Sequence, residues 1–230
     1  DRQILAELGH RPDPMRHVGI SVSRLADIER SAGRFQQAQL LLEEALELAQ
    51  QIRAQLGDSP EILRDVAIPL SRLADLRCDA GRPEQARPMY EAALQLYRHI
   101  STQLGDHPGT LRGISVILER LADLECDLGQ PEHARPLLEE SLRLRQRICL
   151  QLGDRPGTMR DVSVCLEKLG DIDCAAGQHK QAQITYEDAL KLFRHIRALL
   201  GDRPDTLLDL SGTLDRLAKL EDHFDRRESA

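Results

Sequence analysis

The feature that most constrains this 230-residue chain is a strict internal period. The pair Leu-Gly stands at Leu8-Gly9, Leu56-Gly57, Leu104-Gly105, Leu152-Gly153 and Leu200-Gly201, always 48 residues apart. Pro12, Pro60, Pro108, Pro156 and Pro204 keep the same spacing, as do Gly33, Gly81, Gly129 and Gly177. Between residues 58–105 and 106–153 about half the positions are identical. Independent domains tolerate insertions one by one, whereas stacked units must absorb each insertion at a neighbour's interface. A register this strict points to an array in which each unit completes its core against the next.

Each unit reads as two helices. In the second, Leu63, Val66, Leu70, Leu73, Leu76 and Ala80 recur every three or four positions, the helical period. Gly81 stops that helix and Pro83 restarts the chain at a first-turn position, where a missing N–H costs nothing. Ala86, Met89, Tyr90, Ala93, Leu94, Tyr97 and Ile100 then carry a second helix to Gly105. Thr158-x-x-Asp161 and Thr206-x-x-Asp209 resemble capping boxes for the next first helices. No stretch alternates with period two, so no sheet is expected. Pro69, Pro88 and Pro136 fall inside helices, where the flanking apolar period predicts kinks rather than breaks.

Short connections make consecutive helices antiparallel neighbours. The expected fold is all-α, with repeats at about 9–56, 57–104, 105–152 and 153–200 forming one domain over 1–230. Residues 1–8 read as the tail of a preceding second helix, and 201–230 as a final first helix. Its polar last turns suit a cap, or the place where a fragment was cut.

The motif residues resemble the tetratricopeptide repeat, which has a Leu-Gly pair in its first helix, a turn glycine, and Ala-x3-Phe-x2-Ala in its second. The fourth unit shows Leu169-Gly170, Gly177, Ala182, Tyr186 and Ala189. The second shows Leu73-Ala74, Gly81, Ala86, Tyr90 and Ala93; the first shows Ala26, Gly33, Ala38, Leu42 and Ala45; the third shows Ala122, Gly129, Ala134, Leu138 and Ser141. The period is longer than the family's 34 residues, and the first-helix tyrosine is replaced by charged Glu29, Arg77, Glu125, Asp173 and Glu221. The resemblance implies an α-solenoid, a right-handed superhelix of stacked hairpins whose first helices line a concave face. It also implies a non-enzymatic scaffold that binds a protein or peptide there, within a large regulatory or signalling protein of bacterial type.

Two charged ladders would face that groove. One is basic: Arg24, Arg72, Arg120, Lys168 and Arg216. The other is acidic: Asp27, Asp75, Asp123 and Asp171, broken by Lys219. Both readings stay open: the ladders grip a partner, or they neutralise each other as i,i+3 pairs along one helix. Ser23, Ser71, Glu119, Glu167 and Asp215 precede the basic ladder and vary, which makes them candidates for partner specificity.

Composition narrows the remaining classes. The net charge is −7 and aromatics are 3%, which argues against a phosphate-backbone binder or a base-stacking platform. No apolar run approaches the ~20 residues of a membrane span. The chain opens on Asp1 rather than Met, which reads as an excised or processed piece, and shows no secretory leader. Five cysteines, an odd number, fit reduced thiols in the cytoplasm. Cys78, Cys126 and Cys174 share one repeat position. Packed helices lie ~8–10 Å apart, too far for that column to share one metal ion, so these are read as small apolar residues at a crowded contact. No cofactor is expected, and no catalytic or metal-ligating constellation stands out among the eight histidines. The alternative to partner binding is a structural solenoid that stacks end to end.

Overall fold

Proline and glycine set the helix ends. The computed structural model describes residues 12–228, with side chains as far as residue 222. Its helices are α1 (Pro12–Ser31), α2 (Phe35–Leu56), α3 (Pro60–Asp79), α4 (Pro83–Leu104), α5 (Pro108–Asp127), α6 (Pro131–Leu152), α7 (Pro156–Ala175), α8 (His179–Leu200) and α9 (Pro204–Glu228). No strand occurs among the described residues. The tail expected at 1–8 lies outside them. Three-residue turns join the helices, and Gly81 shows why they can be so short. Its φ of 67° lets its own N–H reach the Cys78 carbonyl, and the Arg82 N–H reach the Arg77 carbonyl, both at 2.9 Å. Two orphaned carbonyls at the end of α3 are thereby satisfied in one tight reversal.

Helices α3, α4 and α6 run without interruption through Pro69, Pro88 and Pro136. The two capping boxes are not formed. Helix α7 begins at Pro156, which puts Thr158 inside the first turn rather than at the cap. Its hydroxyl donates to the carbonyls of Gly153 and Arg155, at 3.1 and 2.9 Å. Thr206 donates likewise to the carbonyls of Gly201 and Arg203, both at 2.9 Å, and also lies 3.0 Å from the backbone N–H of Arg203, the group a glutamate accepts from in a true box. Asp161 and Asp209 are used elsewhere, paired with Arg145 and Arg160.

The chain forms two compact units, Asp1–Arg120 and Leu121–Ala230. In the first, α2 is a wall shared by two neighbours. Its Ala38, Leu41, Leu42 and Ala45 pack with Val18, Val22 and Ala26 of α1 on one side and with Leu73 and Leu76 of α3 on the other. In the second unit α6 does the same, Ala134 and Leu138 lying between Ala122 and the Cys165, Leu169 and Ile172 face of α7. Helix α8 joins α7 to α9 through Phe193 and Ile196, beside Met159 and Leu210. Ala38, Ala86, Ala134 and Ala182 are fully buried. A larger side chain there would hold the helix axes apart.

Close approach also explains one glycine. A Cβ at Gly113 would lie 2.2 Å from Cε1 of Tyr97, so that ring occupies the space a side chain would need. We expect Ala86→Leu or Ala134→Leu to cost about 1–3 kcal/mol by overpacking. Glu91→Leu on the exposed side of α4 should stay within about 0.5 kcal/mol. Denaturant midpoints at constant m check both.

Candidate functional site

Successive first helices run parallel, because an antiparallel second helix separates each from the next. Equal repeat positions therefore sit side by side, and a residue meets partners one turn away on the neighbouring first helix. In the first unit, Arg72 of α3 reaches back to α1. It bonds the Ser23 hydroxyl at 2.6 Å, the Ser23 carbonyl at 3.2 Å and the Asp27 carboxylate at 2.9 Å. Arg30 pairs forward with Asp75 at 3.2 Å and Asp79 at 2.7 Å, and Arg16 pairs with Asp65. Arg120 adds a fourth rung to Asp75 at 3.5 Å. In the second unit, Lys168 holds both oxygens of Asp123 at 2.6 and 2.7 Å. Arg216 holds Asp171 at 2.9 Å and Glu167 at 3.4 Å.

The two ladders are thus brought together, but not along one helix. Each basic residue from Arg72 onward takes the acid 45 positions earlier, one repeat back and one turn along. The i,i+3 pairing gives way to an acid one turn along the neighbouring first helix. Lys219, where the acidic ladder breaks, bonds Asp215 at 2.6 Å within its own helix.

Of the residues expected to tune specificity, Ser23, Ser71, Glu119 and Glu167 are buried or partly buried, whereas Asp215 is exposed. Ser23 and Glu119 are buried, and the Ser71 hydroxyl donates to the Ile68 carbonyl of its own helix. Glu167 accepts from Thr213 at 2.7 Å, and its burial raises its pKa above the ordinary carboxylate value despite that bond and the nearby Arg216. Arg24 is exposed.

Below the ladders, Asp75 and Asp171 tie first helix to second. Tyr90 donates to Asp75, and Tyr186 to Asp171, both at 2.6 Å. Burial first, and these carboxylates second, push both phenols far above their usual range. Cys78 and Cys174 lie 3.9 and 3.6 Å from the same hydroxyls, whereas Cys126 is exposed and not at a crowded contact. The charges replacing the family's first-helix tyrosine have partners too. Arg77 bonds Gln39 at 3.3 Å, and buried Asp173 pairs with Arg135, each 38 positions back on the preceding second helix. Among the described residues no group of three or more metal-capable side chains is present.

One feature was not anticipated from the ladders. Between α1 and α3 a cavity of about 290 Å³ opens over Ala45, Ala49 and Ile52 of α2. Gly19, Ile20 and Ile68 also line it, together with Ser23, Arg24, Arg72 and the paired Arg16 and Asp65. The column that contains Ala49 holds Tyr97, Arg145 and Phe193 in the other repeats, all of them buried. A small residue in a column of large ones was the available signal.

Helix hairpins stacked with shared second helices define an α-helical repeat protein. The sequence pattern of the tetratricopeptide repeat matches residues 65–147 and 113–195, and the chain belongs to that family. Its fold is ordinarily a non-catalytic scaffold for protein interactions. Among solved structures, BtubC (BKLC) from P. vanneervenii shares 24% identity at a TM-score of 0.65, covering 99% of this chain and 85% of that one. A putative kinesin light chain with nearly identical TPR-like repeats, from Podosopora anserina, shares 20% identity at 0.63, covering 95% and 90%. The yeast histone chaperone Hif1, described as a scaffold recruiting protein complexes to core histones, shares 13% at 0.57, covering 90% and 96%. No curated protein matches the chain in sequence. Among the described residues no helix is long and apolar enough to cross a membrane.

Two outcomes test this electrostatic layout. A double-mutant cycle on Lys168 and Asp123 should return a coupling of about 0.2–1 kcal/mol, and one on Lys168 and Asp171 close to none. Glu167 has a folded-state pKa above its unfolded value. Its contribution is therefore fully present below the unfolded pKa and is lost as pH rises through the folded one. Relative to Glu167→Gln, the wild type should lose stability between pH 4 and neutrality, measured by urea unfolding across that range.

Proposed function

We propose that the chain is a non-enzymatic binding module, one array of repeats over 1–230 within a larger cytoplasmic regulatory protein of long-period, bacterial type. Its ligand is a segment of another protein. The first-helix face receives that segment, and the cavity over Ala49 takes one of its apolar side chains. The observation that carries this reading is the cavity: about 290 Å³ of apolar-floored space with Arg24 and Arg72 in its lining. That volume accommodates a large aliphatic or aromatic side chain. Exposed Arg24 favours acidic residues beside it. Nucleic acid is disfavoured by the net charge of −7.

The ladders themselves act in this proposal chiefly as struts. Arg72, Arg120, Lys168 and Arg216 already hold Asp27, Asp75, Asp123 and Asp171, so a ligand gains little by displacing them. Arg24 is the ladder member in the cavity lining that is exposed.

The test is selection of peptides from a random library on the wild-type chain, followed by titration of the winners. Ala49→Phe should fill the cavity and weaken binding at least about tenfold, with the thermal melt unchanged or raised. Arg24→Glu should weaken acidic winners by a smaller factor. Winners that bind Ala49→Phe as well as wild type would remove the cavity from the site.

A further inference from the structure

The cavity between α1 and α3 gathers three departures from the repeat. Ala49 stands in a column of Tyr97, Arg145 and Phe193. Gly19 of α1 stands in a column with Ala67, Ser115 and Ser163 of the following three first helices, all fully buried. Packing does not demand that glycine. A Cβ there would lie 3.8 Å from Leu48 Cβ and 3.9 Å from the Ala45 carbonyl oxygen, which are ordinary contacts. Pro69 of α3 stands in a column of Ser21, Ile117, Cys165 and Thr213, each of which carries a backbone N–H. The first two departures leave space. The third changes what the space can bind.

Pro69 lies in the interior of α3, where its missing N–H takes away the hydrogen bond that the Asp65 carbonyl would receive. Its ring also pushes that carbonyl aside. Asp65 and Pro69 are one turn apart on the same face of α3, and both line the cavity. The apolar space is therefore bordered by a backbone acceptor that its own helix does not use. The neighbouring polar groups are already engaged. Arg16 holds the Asp65 carboxylate, and Arg72 donates to the Ser23 hydroxyl at 2.6 Å.

Charge narrows the donor that such a carbonyl can accept from. Arg16, Arg24 and Arg72 line the cavity against the single carboxylate of Asp65, so a cationic head is repelled there. A neutral N–H or O–H is not. A carbonyl beside an open cavity is otherwise met by water. An occupant that displaces the water without replacing its hydrogen bond loses affinity.

Resting on the binding reading above, we propose that Pro69 makes this cavity selective. It takes a side chain with an apolar body and one neutral donor, which bonds the Asp65 carbonyl, and it discriminates against a pure hydrocarbon of the same shape.

The probes are the library peptides that Ala49→Phe weakens. An alanine scan finds the residue of each that enters the cavity. Each peptide is then remade with a donor-free twin at that place, phenylalanine for tyrosine or benzothienylalanine for tryptophan. Titrated into the full 230-residue chain, the twin should bind at least about fivefold more weakly. Pro69→Val and Pro69→Ala both restore the N–H and its helical bond. Both variants should melt at or above the wild type and bind peptide and twin within about twofold of each other. Peptides that enter the cavity with Leu, Ile, Met or Phe would overturn this proposal and leave the binding reading standing. A twin that binds the wild type equally would do the same, as would a preference that survives in both Pro69 variants. Library peptides that all ignore Ala49→Phe would overturn the binding reading itself, and this proposal with it.

Discussion

The structure depends on the closeness of helix packing at one repeated alanine. Ala38, Ala86, Ala134 and Ala182 have no exposed surface. At that contact the second helix can lie against its own first helix and still offer an apolar side to the next one. A bulky residue would open the hairpin and remove the shared wall. Each hairpin buries too little by itself, so the fold propagates as a stack rather than as a set of independent pairs. The tyrosines at the same crossing reinforce it. Tyr90 and Tyr186 end on Asp75 and Asp171, which satisfies a buried hydroxyl and fixes the ring in one place.

Parallel first helices follow from that shared wall, and the charge pattern follows from the parallel helices. With equal positions side by side, a base finds an acid one turn along on the preceding repeat. The result is a rung, and rungs repeat because the sequence repeats. Exposed pairs of this kind each contribute little to stability. The same logic moved charge into the place of the family's first-helix tyrosine. Asp173 is buried and paired with Arg135, while the corresponding Arg77 bonds Gln39.

Helices, turns and stacking were legible in the sequence, since proline, glycine and apolar periodicity act within a few residues of where they stand. The choice of ion-pair partner was not, because it depends on which helix lies alongside. Arg72 and Asp75 look like a pair in sequence, and only the arrangement of α1 beside α3 gives Arg72 to Asp27. Thr158 and Thr206 looked like caps because a threonine three before an acid is the usual sign. Pro156 and Pro204 already occupy the first helical position, which moves both threonines one turn inward. The cavity was legible in principle, as Ala49 in a column with Tyr97, Arg145 and Phe193. An alanine gives no sign of a cavity by itself; the space depends on which helices flank it.

That asymmetry bears on where a repeat protein carries its function. Residues kept in every copy answer a demand made in every copy, and here that demand is packing: the alanines, the turn glycines and the rungs. A surface that takes a partner has to differ from its neighbours, because an identical surface would already be covered or filled in the same way. Ala49 leaves space where other copies place a ring or a guanidinium. That place is apolar, is flanked by charge, and arises where the repeating pattern is interrupted rather than where it is strongest.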